Sequence, residues 1–380
     1  MEVIYSIGAR LAGGGIGSTA YHAVRRIHAA GHLRRVFCMG AEPCDIPREK
    51  TVSLWFPSRR WLPLSPYRYF LAKDRRFDRQ VARRLREPFD IFHGWNSHCL
   101  RSLEVARERG AITIVERGSA HPLHQARLLR EEHERFGQSL PPGLEALAER
   151  CAAECEKADF VHVPSSFCRQ SFLDEGFDPE KLLVSPYGVD VRRFAVQPLP
   201  ERFTVGFLGA IGLRKGVADL LEAWARLELT DSRLVLLGGI ERDAESLVNG
   251  YRSWCQFETP GFVQDPASAL AEISVLVLPA IEDGFPLVVL EAMASGRPVV
   301  VSENTGSRDA LVEGESGLVV PIRSPEAIAE KLLWLHDNPQ ACRRMGLAAR
   351  QRAEQFTWER YGESILAAYR EVLSRRGEAA

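Results

Sequence analysis

Short apolar runs alternate along the chain with longer stretches in which apolar residues recur every three or four positions. The short runs predict strands and the longer stretches predict amphipathic helices, an alternation typical of βαβ units with parallel sheets. The predicted strands of the first half are EVIYSI, RRVFCM, FDIFHG, AITIVE and DFVHVP. The predicted strands of the second half are FTVGFLG, RLVLLGG, ISVLVLP and PVVVS. This pattern predicts two α/β domains in tandem.

A linker is predicted between the two series of strands. The stretch from Arg192 to Arg202 carries two prolines and a basic pair and has no clear periodicity. Such a stretch is typical of a connection between domains. We therefore place the first domain at residues 1–195 and begin the second domain at residue 203.

Composition narrows the class of protein. The chain has 380 residues, of which 45% are hydrophobic, and a net charge of −1, which is typical of a globular protein with about two domains. No run approaches the ~18 apolar residues of a membrane span, and the first residues lack the pattern of a signal peptide, so we expect a cytoplasmic protein. Eight scattered cysteines without a CxxC pair argue against a zinc ribbon and against a disulfide framework.

Two carboxylates stand out in the segment LPAIEDGFPLVVLEAMASGRPVVVSENTG. Asp283 and Glu291 have seven residues between them, around the start of a predicted helix that buries nearly everything else it carries. Buried carboxylates are costly unless they are hydrogen-bonded. The loop follows a predicted strand at its carboxyl end, where open α/β sheets bind ligands, and Pro286 suits the first turn of the helix, whose free N–H groups favour an anion. The alternative is that Asp283 caps the helix and Glu291 pairs with an arginine.

The segment EDGFPLVVLEAMASGRPVVVSENTGSRDAL resembles the donor site of family-four retaining glycosyltransferases of the GT-B fold. The resemblance extends to GGGIGS, SPYGVDVRRF, GAIGLRKGVADLLEAW, EGESGLVVP and FTWERYGESILAAYREVL. It implies two Rossmann-like, doubly wound domains facing a cleft. Residues 1–195 would bind the acceptor and residues 203–356 the nucleotide sugar, while the last helix, within 357–380, would return to pack on the first domain.

The resemblance also implies roles for individual residues. Glu291 would hold the nucleotide ribose, Asp283 the hydroxyls of the sugar, and Lys215 the pyrophosphate. Two departures from the family pattern matter: the first carboxylate is usually Glu, and a phosphate-binding Arg is replaced by Ala210, for which Arg214 could compensate. The remaining donor contacts would come from the backbone around Gly284, Phe285, Pro286, Leu287 and Val288. This assignment requires that the two acids face the cleft and are not already neutralised by protein cations.

The glycine-rich loop has three interpretations. Under the resemblance, Gly14, Gly15 and Gly17 let backbone N–H groups approach the donor phosphates. Gly15, Gly17 and Ala20 also fit the dinucleotide fingerprint G-x-G-x-x-A, although the loop before them is long and no acidic residue closes the second predicted strand. A plain flexible turn is the third possibility.

The mechanism implied by the resemblance is retaining, front-face hexosyl transfer from a nucleotide sugar, with no metal or other cofactor. The absence of an Asp-x-Asp motif agrees with this expectation. Asp283, Lys215 and His121 are the catalytic candidates, because His121 is the nearest match to a family histidine near the reacting sugar. Polar residues at the carboxyl ends of two first-domain strands are predicted to lie on the acceptor side, although structural roles are open for each: His93, Trp95, Asn96 and Arg117.

The segment from Trp55 to Arg86 interleaves aromatic residues with many arginines, a composition that suits peripheral contact with an anionic membrane. A solvated arginine-rich helix would give the same pattern, and nucleic acid binding is not expected. The function favoured is sugar transfer to a glycan or lipid-linked acceptor in polysaccharide, lipopolysaccharide or glycolipid assembly. The alternatives are a sugar-nucleotide epimerase, a phosphorylase-like enzyme, or a GT-B protein that binds nucleotide or glycan without turnover.

Overall fold

The computed structural model describes residues 1–59 and 64–379. The first domain contains a seven-stranded, fully parallel sheet with strand order β3-β2-β1-β4-β5-β6-β7. Its strands are β1 Val3–Ser6, β2 Leu33–Cys38, β3 Thr51–Ser53, β4 Ile91–Trp95, β5 Ile112–Glu116, β6 Phe160–Val163 and β7 Leu182–Val184. Its helices are α1 Ile16–Ala29, α2 Pro66–Ala82, α3 Leu100–Glu108, α4 Pro122–Arg135, α5 Leu144–Lys157 and α6 Ser166–Asp174.

The second domain contains a six-stranded parallel sheet with strand order β10-β9-β8-β11-β12-β13. Its strands are β8 Phe203–Leu208, β9 Ser232–Leu237, β10 Glu258–Gly261, β11 Val275–Leu278, β12 Val299–Ser302 and β13 Leu318–Val320. Its helices are α7 Val217–Leu227, α8 Glu245–Tyr251, α9 Pro266–Ala271, α10 Leu287–Ala294, α11 Pro325–Asp337 and α12 Pro339–Ala353. A last helix, α13, spans Trp358–Ala379.

Helices cover both faces of each sheet, which explains why the central strands are apolar without interruption. Every residue of β11 and β12 is buried, as are all residues of β1, β4 and β5. Every strand predicted from the sequence is present. The structure adds β3, β7, β10 and β13, which are the outermost strands of the two sheets.

Helix α13 lies on the first domain although it follows the second in the chain. It packs along α1, where Trp358 stacks on His22 with ring centroids 4.0 Å apart. Tyr361 and Tyr369 on its inner face are buried against the first sheet. We therefore define the first lobe as residues 1–195 with α13, and the second lobe as residues 203–356.

The two lobes touch along α4 and at the start of α6. Arg135 of α4 pairs with Asp219 of the second lobe at 2.7 Å, and Arg323 reaches back to Glu132 of α4 at 2.8 Å. The backbone N–H of Ser166 donates to Asp309 at 2.6 Å. These contacts hold the carboxyl edges of the two sheets against each other.

All eight cysteines are free thiols, as expected from their spacing. Among the described residues, no helix combines the length and the apolar character needed to cross a membrane.

Candidate functional site between the lobes

Glu291 lies on α10 and carries a half-buried carboxylate that makes no hydrogen bond or ion pair with the described residues. Burial raises the pKa of Glu291, and the positive charge of Arg193 offsets part of this rise. The ion pair recorded for Arg193 is with Asp265, at 3.7 Å, so pairing of Glu291 with an arginine is not observed. A carboxylate that is partly removed from water and has no protein partner is available to a ligand that donates hydrogen bonds, and such bonds would offset the cost of its partial burial.

Asp283 is engaged in a buried ion pair with Lys215. Burial lowers the pKa of Lys215, while the Asp283 carboxylate raises it. Asp283 does not cap α10, because that helix begins after Pro286 without a side-chain cap. The requirement that both acids be free of protein cations is therefore met by Glu291 and not by Asp283. A donor diphosphate would have to draw Lys215 away from this partner.

The start of α10 leaves hydrogen-bond donors free. The N–H groups of Leu287 and Val288 have no backbone acceptor among the described residues, as is usual in the first turn of a helix. Phe285 is buried and packs on Tyr187 of the first lobe, with ring centroids 5.7 Å apart. A Cβ added to Gly284 would overlap the carbonyl oxygen of Gly118, so only glycine permits this approach of the two lobes.

Glu282 is a site residue that the sequence interpretation missed. Its carboxylate is fully buried and accepts hydrogen bonds from the Ala120 N–H at 2.9 Å and the Gln125 side chain at 2.5 Å, both in the first lobe. The Nη1 of Arg214 donates to the Glu282 carbonyl at 3.0 Å and lies 3.4 Å from its carboxylate. Glu282 therefore joins the lobes directly beside Asp283. The sequence signal that could have identified Glu282 is its position next to Asp283, shortly after a buried strand.

The structure gives Arg214 a partner that the sequence did not predict, and its role as a replacement cation stays a prediction. The sequence suggested that its charge could replace the cation missing at Ala210, but Glu282 already offsets that charge. The Nε and Nη2 atoms of Arg214 have no acceptor among the described residues. The side chain is 33% exposed, so these donors remain accessible from the space between the lobes.

The glycine-rich loop is open at two of its three candidate positions. A Cβ added to Gly14 or Gly15 would meet nothing within 4 Å. Gly15 has φ of 62° directly before α1, a backbone conformation that favours glycine. Gly17 has a packing role, because a Cβ there would overlap the carbonyl oxygen of Arg10.

Two acceptor-side candidates are in fact structural. His93 is fully buried, with Nδ1 2.7 Å from the Tyr369 hydroxyl and Nε2 3.1 Å from Glu116. Trp95 is also buried and donates its Nε1–H to the Tyr5 hydroxyl at 2.8 Å. The prediction that both residues face the cleft is wrong, because neighbouring strands and the returning helix α13 supply their partners.

Glu116 is the centre of this buried polar network. Its carboxylate accepts hydrogen bonds from His93, from His162 at 2.5 Å and from Tyr187 at 3.2 Å, with the Tyr361 hydroxyl at 3.5 Å. Burial alone would raise the pKa of Glu116, but the two histidines lower it to about 2. The carboxylate therefore stays ionised, and it is not paired with Arg117.

The same network contains the one group of side chains close enough to ligate a metal within the part of the chain that the structure describes. The ligand atoms of His93, Glu116 and His162 lie within 4.8 Å of one another. Hydrogen bonds already occupy the carboxylate and the two facing nitrogens. These contacts account for the cluster without an ion.

Arg117 and Asn96 do lie beside the interlobe contact. The Arg117 guanidinium donates to Asn96 at 3.0 Å, to Gln125 at 2.7 Å and to the Ala120 carbonyl at 2.9 Å. Because Ala120 and Gln125 are also the residues that bind Glu282, these two acceptor-side candidates lie next to the loop that carries Glu282 and Asp283.

His121 is not brought together with Asp283 and Lys215 by any described contact. It is buried at the start of α4, where its ring packs edge-on against Phe172 with centroids 4.8 Å apart. Burial lowers its pKa to about 4, so the imidazole is neutral at pH 7. Its assignment as a catalytic residue stays a prediction.

The sequence of this chain is similar to two family models and to known glycosyltransferases. A family model described as Glycosyltransferase Family 4 matches residues 13–193, and one described as Glycosyl transferases group 1 matches residues 202–338. A D-inositol 3-phosphate glycosyltransferase from Kineococcus radiotolerans is 28% identical over 78% of this chain and 74% of its own. A GDP-mannose-dependent alpha-(1-6)-phosphatidylinositol dimannoside mannosyltransferase from Mycobacterium tuberculosis is 27% identical over 70% of this chain and 72% of its own.

The fold comparison covers almost the whole molecule. The structure of sucrose-phosphate synthase from Thermosynechococcus elongatus superposes with a TM-score of 0.77 at 20% identity, covering 99% of this chain and 100% of that one. Two parallel α/β domains in this arrangement constitute the GT-B fold. With the two family models together matching both domains, the chain belongs to the group 1, family 4 glycosyltransferases.

Proposed function

We propose that this protein is a retaining hexosyltransferase that moves a sugar from a nucleotide sugar to a hydroxyl of a glycan or lipid-linked acceptor, without a metal. The observation that carries the proposal is the unpartnered carboxylate of Glu291, on the same helix whose first N–H groups are free. A carboxylate of this kind suits two ribose hydroxyls, and a helix start suits a phosphate.

Lys215 would supply the positive charge that stabilises the leaving diphosphate. As the bond from the sugar to the diphosphate breaks, negative charge grows on the phosphate oxygens, and fixed cations and N–H dipoles lower the energy of that state. Lys215 would exchange Asp283 for the diphosphate, which frees the Asp283 carboxylate to accept hydrogen bonds from the sugar. In a front-face mechanism the departing phosphate takes the acceptor proton, so no buried histidine is needed.

Relatives support the choice of substrates. The name of the mycobacterial relative specifies GDP-mannose as donor and a phosphatidylinositol dimannoside as acceptor, and the name of the Kineococcus relative specifies an inositol phosphate. Assembly of a polysaccharide, lipopolysaccharide or glycolipid is the setting that we propose for this chain.

Slow hydrolysis of the donor tests the transferase proposal. Purified protein is incubated with UDP-, GDP-, ADP- and dTDP-sugars in excess EDTA, and release of the nucleoside diphosphate and of the sugar anomer is followed. We expect one donor to be hydrolysed with EDTA present and with retention at the anomeric carbon. Turnover that stops in EDTA, or an inverted product, would contradict the metal-free retaining mechanism.

A protein that binds nucleotide or glycan without turnover is the second candidate. The observation that favours it is the neutralisation of both local cations, Lys215 by Asp283 and Arg214 by Glu282. The same incubation distinguishes the two functions, because this candidate predicts that a nucleotide sugar raises the melting temperature and is never consumed.

We further propose that the first lobe makes peripheral contact with anionic membranes through α2. The exposed face of this helix carries a stripe of arginines, and Trp55 and Phe70 are exposed nearby in sequence, at 72% and 40%. The arginines of the stripe are Arg68, Arg75, Arg76, Arg79 and Arg83. Residues 60–63 of the segment first singled out lie outside the described residues.

Sedimentation with vesicles tests this contact. Each arginine near an anionic surface contributes ~1 kcal/mol, so replacing Arg75, Arg76 and Arg79 by Gln should weaken binding to phosphatidylglycerol vesicles roughly a hundredfold at low salt. Replacement of the exposed Arg343 and Arg344 in the second lobe is the matched control and should change little. Equal losses in both variants, or no binding by the wild type, would contradict the proposal.

A further inference from the structure

A small cavity lies between the lobes on the side of Glu282 that faces the first lobe. Its volume is about 140 Å³. Tyr67 of α2, Arg117, Gln125 and the facing sides of α4 and α5 form most of its wall, and Arg214 closes it from the second lobe. A cavity of this size is smaller than a typical ligand pocket and receives one functional group of a larger molecule.

The polar part of the cavity wall contains two arginines, Arg117 and Arg214, of which Arg214 is paired with the Glu282 carboxylate and Arg117 is not paired with any carboxylate of the described residues. Arg117 is half-buried, and each of its three hydrogen-bond acceptors, on Asn96, Ala120 and Gln125, is a neutral amide oxygen. No carboxylate in the described residues forms an ion pair with it. A guanidinium removed from water without a counter-charge is unfavourable, so the position favours an anion that arrives with a ligand.

Arg214 supplies a second set of donors from the opposite lobe. Only its Nη1 is engaged, with Glu282, so Nε and Nη2 can form the two parallel hydrogen bonds that suit a phosphate or carboxylate. The Tyr67 hydroxyl, which has no partner among the described residues, is a further donor on the same wall.

The remainder of the wall is apolar. Leu129, Leu144, Ala126 and Ala148 form a small buried hydrophobic cluster between α4 and α5, and all four line the cavity. If an anionic group binds at the arginines, the carbon atoms to which it is attached would therefore pack against this cluster.

We propose that this cavity holds an anionic group of the acceptor, a phosphate ester or a carboxylate, between Arg117 and Arg214. The inference rests on the proposed transfer function and specifies its acceptor as a negatively charged molecule. Glu282 joins the cavity to Asp283, so an acceptor anchored here by its anion presents a neighbouring hydroxyl toward the donor sugar. Arg117 and Arg214 are binding residues for the acceptor in this scheme and take no part in proton transfer.

The test is calorimetric titration of the full-length protein with glycerol 3-phosphate as a soluble phosphate ester. Arg117→Gln should raise the dissociation constant about tenfold or more, whereas Arg117→Lys, which keeps the charge, should raise it less. Arg343→Gln, on an exposed arginine of the second lobe, is the matched control and should leave it unchanged. Arg214→Gln gives an independent reading if Arg117→Gln fails to fold.

The outcomes separate this proposal from its alternatives. Weakening by Lys215→Met with no effect of Arg117→Gln or Arg214→Gln would place the phosphate at the donor site and overturn the proposal. Equal weakening by Arg343→Gln would show non-specific attraction and would also overturn it.

Two further readouts complete the test. The same titration with phosphatidylglycerol vesicles distinguishes the source of the anion: an effect of Arg117→Gln on vesicles alone indicates a lipid headgroup, and an effect on glycerol 3-phosphate indicates a soluble ester. Because α2 is itself proposed to bind these vesicles, the contradicting outcome is the absence of glycerol 3-phosphate binding together with vesicle binding that Arg117→Gln and Arg214→Gln leave unchanged. Failure of the transferase function would instead show as the absence of binding and turnover of every nucleotide sugar, with the phosphate titration unaffected.

Discussion

Replacing Glu291 by Ala is expected to weaken nucleotide-sugar binding about a hundredfold while the fold stays intact. Two hydrogen bonds to an ionised carboxylate contribute ~3 kcal/mol or more together, and the substitution removes both. Isothermal titration with the donor identified by the nucleotide-sugar incubation measures the loss. Wild-type affinity in the variant would remove the assignment of Glu291 to the ribose.

Although Glu291→Ala should lose affinity for the nucleotide sugar, its thermal stability should stay the same or rise. Because burial raises the pKa of Glu291, its ionised form costs folding free energy at neutral pH, and this cost disappears in Glu291→Ala. We therefore expect a melting temperature equal to or above that of the wild type, as is common for residues kept for function. Glu313→Ala, on an exposed acid of the same lobe, is the control and should change neither quantity. A strongly destabilised Glu291→Ala would indicate a structural role instead.

Replacing Glu116 by Ala is expected to have the largest effect on stability of any single change considered. The substitution removes the ionised centre of a buried network and leaves the donors of His162, Tyr187 and Tyr361 without an acceptor. Breaking a buried charged network costs ~3–5 kcal/mol, which corresponds to a fall in melting temperature of roughly 10 °C for a domain of this size. Thermal unfolding followed by circular dichroism measures the change.

Two further variants show whether the charge or the shape of Glu116 matters. Glu116→Gln keeps the volume but removes the charge that the two histidines stabilise, so it should also be destabilising, though less than Ala. Glu108→Ala, on an exposed acid of α3, is the control and should shift stability by about 0.5 kcal/mol or less. If Glu116→Ala melted like this control, the network would not hold α13 on the first lobe.

The central strands could be predicted from the sequence and the outermost ones could not. Strands such as β11 and β12 are buried on both faces and read as uninterrupted apolar runs. The four missed strands are three or four residues long and lie at the edges of the sheets, where one side has no neighbour and the sequence is less apolar. A short edge strand such as β10, with sequence ETPG, carries almost no pattern of its own.

The sequence predicted where the candidate site residues lie in the fold better than it predicted their hydrogen-bond and ion-pair partners. The motif placed Asp283 and Glu291 correctly around the start of α10. It did not indicate that Lys215 binds Asp283, or that Glu282 binds residues more than 150 positions away. His93 and Trp95 were assigned to the cleft because they end a strand, and their partners on α13 and β1 are contacts over long sequence distances that local patterns do not record.

The return of α13 to the first lobe has a consequence for biosynthesis. Glu116 is translated about 250 residues before Tyr361 and Tyr369, which corresponds to a wait of roughly 10–50 s at ordinary elongation rates. During this interval the amino-terminal sheet lacks the helix that covers it, whereas the second lobe can fold as soon as it leaves the ribosome. The amino-terminal half is thus the last to mature, and the nascent chain is most exposed to chaperones and proteases there.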